Sequence, residues 1–330
     1  MTTTTRRFSG LDVEMRGDPW QAELATIRHE FEERIAQLLA DSGDQADLLA
    51  KAMRAGTLGA GKRMRPLLLM LVARDLGCSS PALVDIACAV EMVHAASLIL
   101  DDMPCMDNAM LRRGQPTIHV QFGEDVAILA SVALLSRAFG ILATAPDIPP
   151  LVRARLVAKL AETVGAQGLV RGQFEDLRAG GQRSAEEIAT TNELKTGVLL
   201  GVSVDMAAIL AETDDCVAES LRAFALAAGH AFQIRDDFQD GPGNDSAVTG
   251  KDTGKDLGKA TLVNALGSDE ARQRLAAYLD EAERYLADAI GSSRGGSQHT
   301  RRFVDTLFAR STGARGVRPA VAQAGRQVHH

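Results

Sequence analysis

The chain has 330 residues, 46% of them apolar and only 4% aromatic, and carries a formal net charge of −7. That size and apolar content can build one large core or two ordinary ones. The negative balance lends nothing to a nucleic-acid-binding role. The apolar residues are mainly Ala, Leu and Val without alternating β-branched runs, which favours helices over sheet.

Residues 1–20 read as an irregular segment without the apolar stretch of a secretory signal. A first amphipathic helix is predicted from Trp20 to Asp41, with Leu24, Ile27, Phe31, Ile35 and Leu38 at helical spacing. Further helices are predicted at 45–55, 64–77, 81–103, 121–143, 148–177, 184–210, 213–241 and 259–290. Ser80-Pro81, Asp147 ahead of Pro149, and a Ser184/Glu187 capping box mark starts. Gly77, Gly180 and the glycine-rich run from Gly241 to Gly258 mark stops. Two segments, Ile86–Leu100 and Ala189–Leu210, are apolar on all sides, so they belong among other helices.

No linker divides the chain, and no repeat of about 20–50 residues signals a solenoid. The expected fold is therefore all-α: one orthogonal/antiparallel helical bundle, residues 21–291, around a deep central cavity. The longest apolar stretch, Ala127–Ala143, is interrupted by Arg137 and is shorter than the ~20 residues of a membrane span. A soluble, cytoplasmic protein without a transmembrane segment is expected. Residues 292–330 hold seven arginines and one aspartate, +6 in all, which leaves −13 for the rest. This stretch, rich in Gly, Ser, Arg and Gln, is expected to be a basic, partly disordered tail. Cys78, Cys88, Cys105 and Cys216 form no CxxC pair and read as reduced thiols.

Two aspartate clusters carry the chemistry. "SLILDDMPCMDNAMLRRG" (97–114) holds Asp101, Asp102 and Asp107, and "FQIRDDFQDG" holds Asp236, Asp237 and Asp240. Asp236 and Asp240 share a helix face, whereas Asp101 and Asp107 would lie about 120° apart on an unbroken helix. Pro104, disfavoured inside a helix, predicts a distorted end between Asp102 and Asp107 that swings Asp107 back toward Asp101. Each cluster alone could be a solvated helix terminus. Two of them, each closing an apolar helix, would repel severely without cations. Hard carboxylate oxygens with room for water suit Mg²⁺.

Basic residues surround them: Lys62, Arg63 and Arg65 in "GAGKRMRP", Arg112 and Arg113, Lys195 beside Thr196 in "NELKTG", and Lys251, Lys255 and Lys259 in "TGKDTGKDLGKAT". Singly, each could be a solvated loop or a helix-end charge, and Lys195 a snorkelling side chain. Together with the carboxylates they describe a site for diphosphates, gripped by arginine forks and lysine point charges.

Six stretches in this order, Gly61–Pro66, Val90–Thr117, Gly168–Leu177, Leu194–Gly197, Phe232–Asp240 and Gly250–Thr261, carry a resemblance. The chain resembles short-chain trans-prenyl diphosphate synthases, most closely the bacterial geranylgeranyl diphosphate synthases of carotenoid pathways. The likeness covers about residues 55 to 290. It implies an isoprenoid-synthase bundle, a homodimer, and head-to-tail joining of isopentenyl diphosphate to an allylic diphosphate. It implies three Mg²⁺ ions per loaded site, with Mn²⁺ able to substitute. Asp101, Asp107 and Asp236 would be direct ligands, with Asp102, Asp237 and Asp240 acting through metal-bound water. Arg112, Lys195 and Lys259, with Lys251 alongside, would hold the allylic diphosphate. Lys62, Arg65, His94 and Arg113 would hold isopentenyl diphosphate without metal.

Thr196, Gln233 and the Lys195 carbonyl would direct dipoles at the carbocation, the released diphosphate taking the last proton. No dinucleotide is expected. Ala96 and Ser97, just before Asp101, should leave the product pocket open to C20, with Met92 and Cys88 deeper on the same helix as its floor. Three rival readings differ in their marks. A C15 farnesyl diphosphate synthase differs in product length. A class I terpene cyclase would not be expected to carry Lys62, Arg65, His94 or the second aspartate cluster. A non-catalytic partner subunit would be expected to lose aspartates.

Overall fold

The computed structural model describes residues 18–40, 47–178, 184–239, 261–291 and 298–309. Among these the architecture is helical, as the composition implied. The first helix, α1 (Pro19–Ala40), starts where Asp18 accepts a hydrogen bond from Trp20 N at 3.1 Å. Ile27, Phe31, Ile35 and Leu38 of the predicted stripe are buried, joined by Trp20, whereas Leu24 is only partly buried against the core. Helices α2 (Leu48–Leu58), α3 (Met64–Asp75) and α4 (Leu83–Asp101) follow. A two-stranded hairpin, β1 (Leu111–Arg112) with β2 (Gln115–Pro116), leads into α5 (Ile118–Phe122) and α6 (Glu124–Thr144). The remaining elements are α7 (Pro150–Val164), α8 (Leu169–Arg178), α9 (Ala185–Asn192), a π-helical turn (Glu193–Gly197), α10 (Val198–Leu210), α11 (Asp215–Gln239), α12 (Leu262–Leu266), α13 (Ser268–Ile290) and α14 (His299–Ala309).

The two segments expected to be apolar all round are the centre of the bundle. Helix α4 packs against α1, α2, α3, α6 and α10, and α10 packs against α3, α4, α7 and α11. Both α4 and α6 are long and apolar enough to cross a membrane by length and composition alone, but most of α4 is enclosed by other helices. Helix α6 keeps Ile128, Leu129 and Val132 exposed on one face.

Several predicted helices are divided. The segment 148–177 breaks between α7 and α8, where a Cβ on Gly168 would lie 2.1 Å from the Thr163 carbonyl oxygen. The segment 184–210 starts at the expected Ser184/Glu187 capping box but loosens into the π turn before α10. The segment 259–290 breaks at Gly267, whose φ of 82° suits glycine.

The larger departure is at the C-terminus. Residues 299–309, expected within a partly disordered tail, form α14 and dock on α3. Its N-terminal amides of His299 and Thr300 donate to the buried Asp75 carboxylate at 3.2 and 2.8 Å, and Phe303 is buried. The tail's basic composition hid an apolar face of Phe303, Leu307 and Phe308, which only the packed bundle can cover.

Candidate active site

The first aspartate cluster closes α4. Asp102 is the last residue in helical geometry, and the chain then curls back over Pro104. Asp107 N donates to the Asp101 carbonyl at 2.9 Å, and Ala109 N to the Asp102 carbonyl at 3.1 Å. The distorted helix end predicted from Pro104 is therefore present, and it returns Asp107 to Asp101 despite the six-residue spacing. Both side chains are partly exposed.

Asp102, expected to reach a metal only through water, is engaged by the protein itself. It is buried, and Arg112 grips it through Nε at 2.8 Å to both oxygens and through a second nitrogen at 2.6 Å. Consecutive helical residues point about 100° apart, so Asp101 and Asp102 cannot both face the same opening. Burial alone would lower the Arg112 pKa, but the hydrogen bond and charge of Asp102, with Asp101 and Asp107 beyond, hold it above its ordinary value. Arg112 thus stays charged and fixed.

The second cluster repeats this division. Asp237 receives Gln233 Nε2 on one oxygen at 2.9 Å and the Leu262 backbone N–H on the other at 2.9 Å. Its two oxygens therefore tie α11 to the start of α12, beside a small apolar cluster of Ile188, Ile234, Leu262 and Ala271. Burial pushes the Asp237 carboxyl up against the pull of these hydrogen bonds. Asp236, partly exposed, is left to face the site. Asp240, Lys251 and Lys259 lie outside the described residues. In each described pair the first aspartate is partly exposed, and the second is tied to a neighbouring element.

The basic groups gather between the clusters. The loop before α3 is held by Arg63, in the left-handed region at φ 50°. This guanidinium donates to the Thr57 and Gly59 carbonyls at 3.0 and 2.7 Å and pairs with buried Glu91 at 2.8 Å. Arg63, grouped from sequence with the diphosphate-binding cations, is instead spent inside the protein, and its partner Glu91, 28 residues away, leaves no local signal. The anchored loop presents Lys62, whose ammonium lies 5.5 Å from the Phe232 ring centre, and leads into Arg65 in the first turn of α3.

Arg65 donates to His94 Nε2 at 3.2 Å, while Arg65 Nε and His94 Nδ1 are shut off from solvent and find no protein partner. Since guanidinium cannot accept, Nε2 is the acceptor and the proton of a neutral imidazole sits on Nδ1. Burial first, then the charges of Arg65, Arg113, Arg112 and Arg63, hold His94 well below the ordinary histidine value. Burial also lowers Arg65 to about 10, with Arg113 adding to the effect while Glu91 and Asp236 oppose it.

Arg113 comes from the tight turn of the hairpin, with φ of 53° followed by Gly114 at 77°. Its guanidinium reaches back over Gly61, where an added Cβ would meet it at 2.7 Å. Partly buried cations and a donor imidazole without a carboxylate for each make a site that an anion completes. Among the described residues, no group of three acidic, His or Cys side chains forms a ready-made metal cage. The partly exposed, oxygen-only Asp101, Asp107 and Asp236 still fit Mg²⁺, which takes one or two carboxylates and completes its shell with water and phosphate.

Lys195 and Thr196 fall on the π turn. Helix α11 lies directly against it, since a methyl on Gly229 would touch Gly197 Cα at 3.6 Å. Gln233 follows one turn later on α11. Gln173 of α8 donates to Met106 Sδ at 3.6 Å, tying that helix to the first aspartate turn. Ala96 and Met92 are buried in the core with Cys88, and Ser97 donates back to the His94 carbonyl at 2.8 Å.

An all-helical bundle that offers carboxylates from two helix ends to a shared basic cradle defines a class of enzyme that handles diphosphates. The polyprenyl synthetase family model matches residues 46–289, and the chain belongs to that family. It is 51% identical over 289 residues to a geranylgeranyl diphosphate synthase of Pseudescherichia vulneris, covering 87% of this chain and 91% of the relative. It is 42% identical over 246 residues to a farnesyl diphosphate synthase of Geobacillus stearothermophilus, covering 73% and 82%. Among solved structures it is similar to a Helicobacter pylori geranyltransferase complexed with magnesium and isoprenyl diphosphate. That likeness has a TM-score of 0.76 and 27% identity, and covers 89% of this chain and 98% of that one.

Proposed function

We propose that this prenyltransferase condenses isopentenyl diphosphate head to tail with allylic diphosphates, giving mainly the C20 product geranylgeranyl diphosphate. The carrying observation is the basic cradle of Arg65, His94 and Arg113 beside Asp236 and the Asp101/Asp107 turn. A metal-free anion site next to two outward carboxylate groups is what a reaction with one ionising and one intact diphosphate needs.

In this reading Lys62, Arg65, His94 and Arg113 hold isopentenyl diphosphate. Arg112, oriented by Asp102, holds the allylic diphosphate with Lys195, Lys251 and Lys259. Mg²⁺ held by Asp101, Asp107 and Asp236 would supply Lewis-acid stabilisation of the departing diphosphate. Three ions, and Mn²⁺ in their place, belong to the same proposal.

Asp102 and Asp237 act as positioning groups, fixing Arg112 and Gln233. Breaking the allylic C–O bond leaves a carbocation that the isopentenyl double bond attacks. A π turn displaces backbone carbonyls from the regular ladder, which suits the Lys195 carbonyl and Thr196 to face that cation beside Gln233. The surrounding helices exclude water that would quench it. The released diphosphate takes the proton as the new double bond forms.

The homodimer and a place in carotenoid synthesis are further parts of the proposal. The exposed Ile128, Leu129 and Val132 on α6 support the first, and the 51% identical relative supports the chain length behind the second. The test is product formation from isopentenyl diphosphate plus a C5, C10 or C15 allylic diphosphate, with and without Mg²⁺. Condensation should require both substrates and the metal. Hydrocarbon release from the allylic diphosphate alone would indicate a cyclase and contradict the reading.

A further inference from the structure

Arg235 stands immediately before the second aspartate pair, yet its side chain turns away from that pair's chemistry. The residue is only 5% exposed. It donates to the Leu307 carbonyl at 2.6 Å, in the last turn of α14. Helix carbonyls there lack intrahelical partners and carry the negative end of the dipole, so the guanidinium caps α14. The same guanidinium lies 4.5 Å from the Phe232 ring centre and 5.2 Å from that of Phe308. Phe232 in turn carries Lys62 at 5.5 Å.

These contacts form one ladder: Lys62, Phe232, Arg235, then Phe308 and the α14 terminus. Phe232 and Arg235 are three apart on α11 and share a face, so they meet without strain. The far end is fixed independently. Asp75 holds the start of α14, and Trp20 Nε1 donates to Thr306 Oγ1 at 3.3 Å. The ring on which Lys62 rests is thus braced by a helix anchored independently at Asp75 and Trp20.

We propose that Arg235 is a positioning residue for isopentenyl diphosphate, holding the Phe232 ring against the capped end of the last helix so that Lys62 is aimed at the cradle. This rests on the substrate assignment made above for Lys62. It makes the C-terminal helix part of second-substrate recognition. A structural cap alone would affect stability, or both substrates equally. A brace acting through Lys62 affects one substrate.

The experiment is steady-state kinetics of the full-length parent, Arg235→Met, Arg235→Lys and Phe308→Leu, varying each diphosphate in turn at saturating Mg²⁺. Arg235→Met keeps the apolar stem and removes the cation. It should raise the KM for isopentenyl diphosphate about three- to tenfold, the worth of a partly buried cation–π contact. The KM for the allylic diphosphate and kcat should stay within about twofold. Arg235→Lys should recover part of the loss. Phe308→Leu, which leaves Arg235 in place, should shift the same KM by less, and it serves as the reading if Arg235→Met does not fold. Equal rises in both KM values, a fall in kcat alone, or an unchanged isopentenyl KM in the folded variants would overturn the inference. An inactive parent would instead contradict the substrate assignment.

Discussion

The Arg63–Glu91 pair offers the sharpest perturbation of the cradle. Both side chains are nearly dry, with 4% and 5% exposure, and their closest atoms are 2.8 Å apart. In Arg63→Met, Glu91 loses its partner and the Thr57 and Gly59 carbonyls lose their donor. Breaking a buried ion pair from one side costs about 3–5 kcal/mol. The lower figure applies here, because the charges of Arg65 and Arg113 also reach Glu91. About 3 kcal/mol is a large part of the usual 5–15 kcal/mol stability, and should lower Tm by roughly 4–5 °C for a chain of this length.

Adding Glu91→Leu removes the stranded charge. The double variant should recover most of the stability, since well-packed apolar replacements of buried pairs are often neutral. It should not recover function, because the loop that carries Lys62 and leads into Arg65 is still unanchored. Its KM for isopentenyl diphosphate should stay raised by about tenfold or more, the loss of roughly one charge-assisted hydrogen bond. Thermal unfolding and substrate kinetics on parent, both single variants and the double variant measure all of this. A double variant as unstable as Arg63→Met, or one with the parent KM, would refute the reasoning.

Further outcomes follow from the site. His94 is neutral in the fold but has an ordinary value near 6.5 when unfolded, so the unfolded chain binds the extra proton as pH falls. Its contribution to stability is therefore present above about pH 6.5 and lost below, and His94→Gln should flatten that acid slope. A diphosphate at Nδ1 raises the His94 value, so binding of isopentenyl diphosphate at about pH 6 should take up protons. Calorimetry in two buffers of different ionisation enthalpy detects this, and identical heats would count against it. Ala96→Phe should shorten the product toward C15 at a packing cost of about 1–3 kcal/mol; an unchanged product length would move the pocket floor elsewhere. Asp101→Ala or Asp236→Ala should each lower kcat by at least about a hundredfold, and a chelator should abolish the parent's activity, whereas near-normal turnover would sink the metal assignment.

Much of this site could be read without coordinates, because its chemistry is written in charge and spacing. Two aspartate clusters after apolar helices, and lysines and arginines near them, are local features. Pro104 even announced how Asp107 would return to Asp101. The division of labour within each pair was less visible. It depends on where the neighbouring 100° of helix points, and on partners such as Arg112 and Leu262 supplied by other elements.

The hairpin at Leu111–Pro116 is too short to leave a period, and its role in separating Arg112 from Arg113 emerges only from the turn at Arg113 and Gly114. The predicted helices 148–177 and 259–290 ran straight through Gly168 and Gly267, where the breaks rest on close backbone approach and a φ of 82°. Helix α14 was masked by its basic flanks, and its docking rests on Asp75, 224 residues earlier in the chain from His299. Such long-range capping is a property of the packed bundle rather than of any local stretch.

Product length from a single primer tests the function most directly. The full-length protein would be incubated with isopentenyl diphosphate, a C5 allylic diphosphate and Mg²⁺, and the products dephosphorylated and separated by chain length. A dominant C20 alcohol is expected, with C10 and C15 species as minor intermediates. A dominant C15 product would contradict the C20 assignment. The absence of any condensation product with C5, C10 or C15 primers would contradict the synthase reading itself.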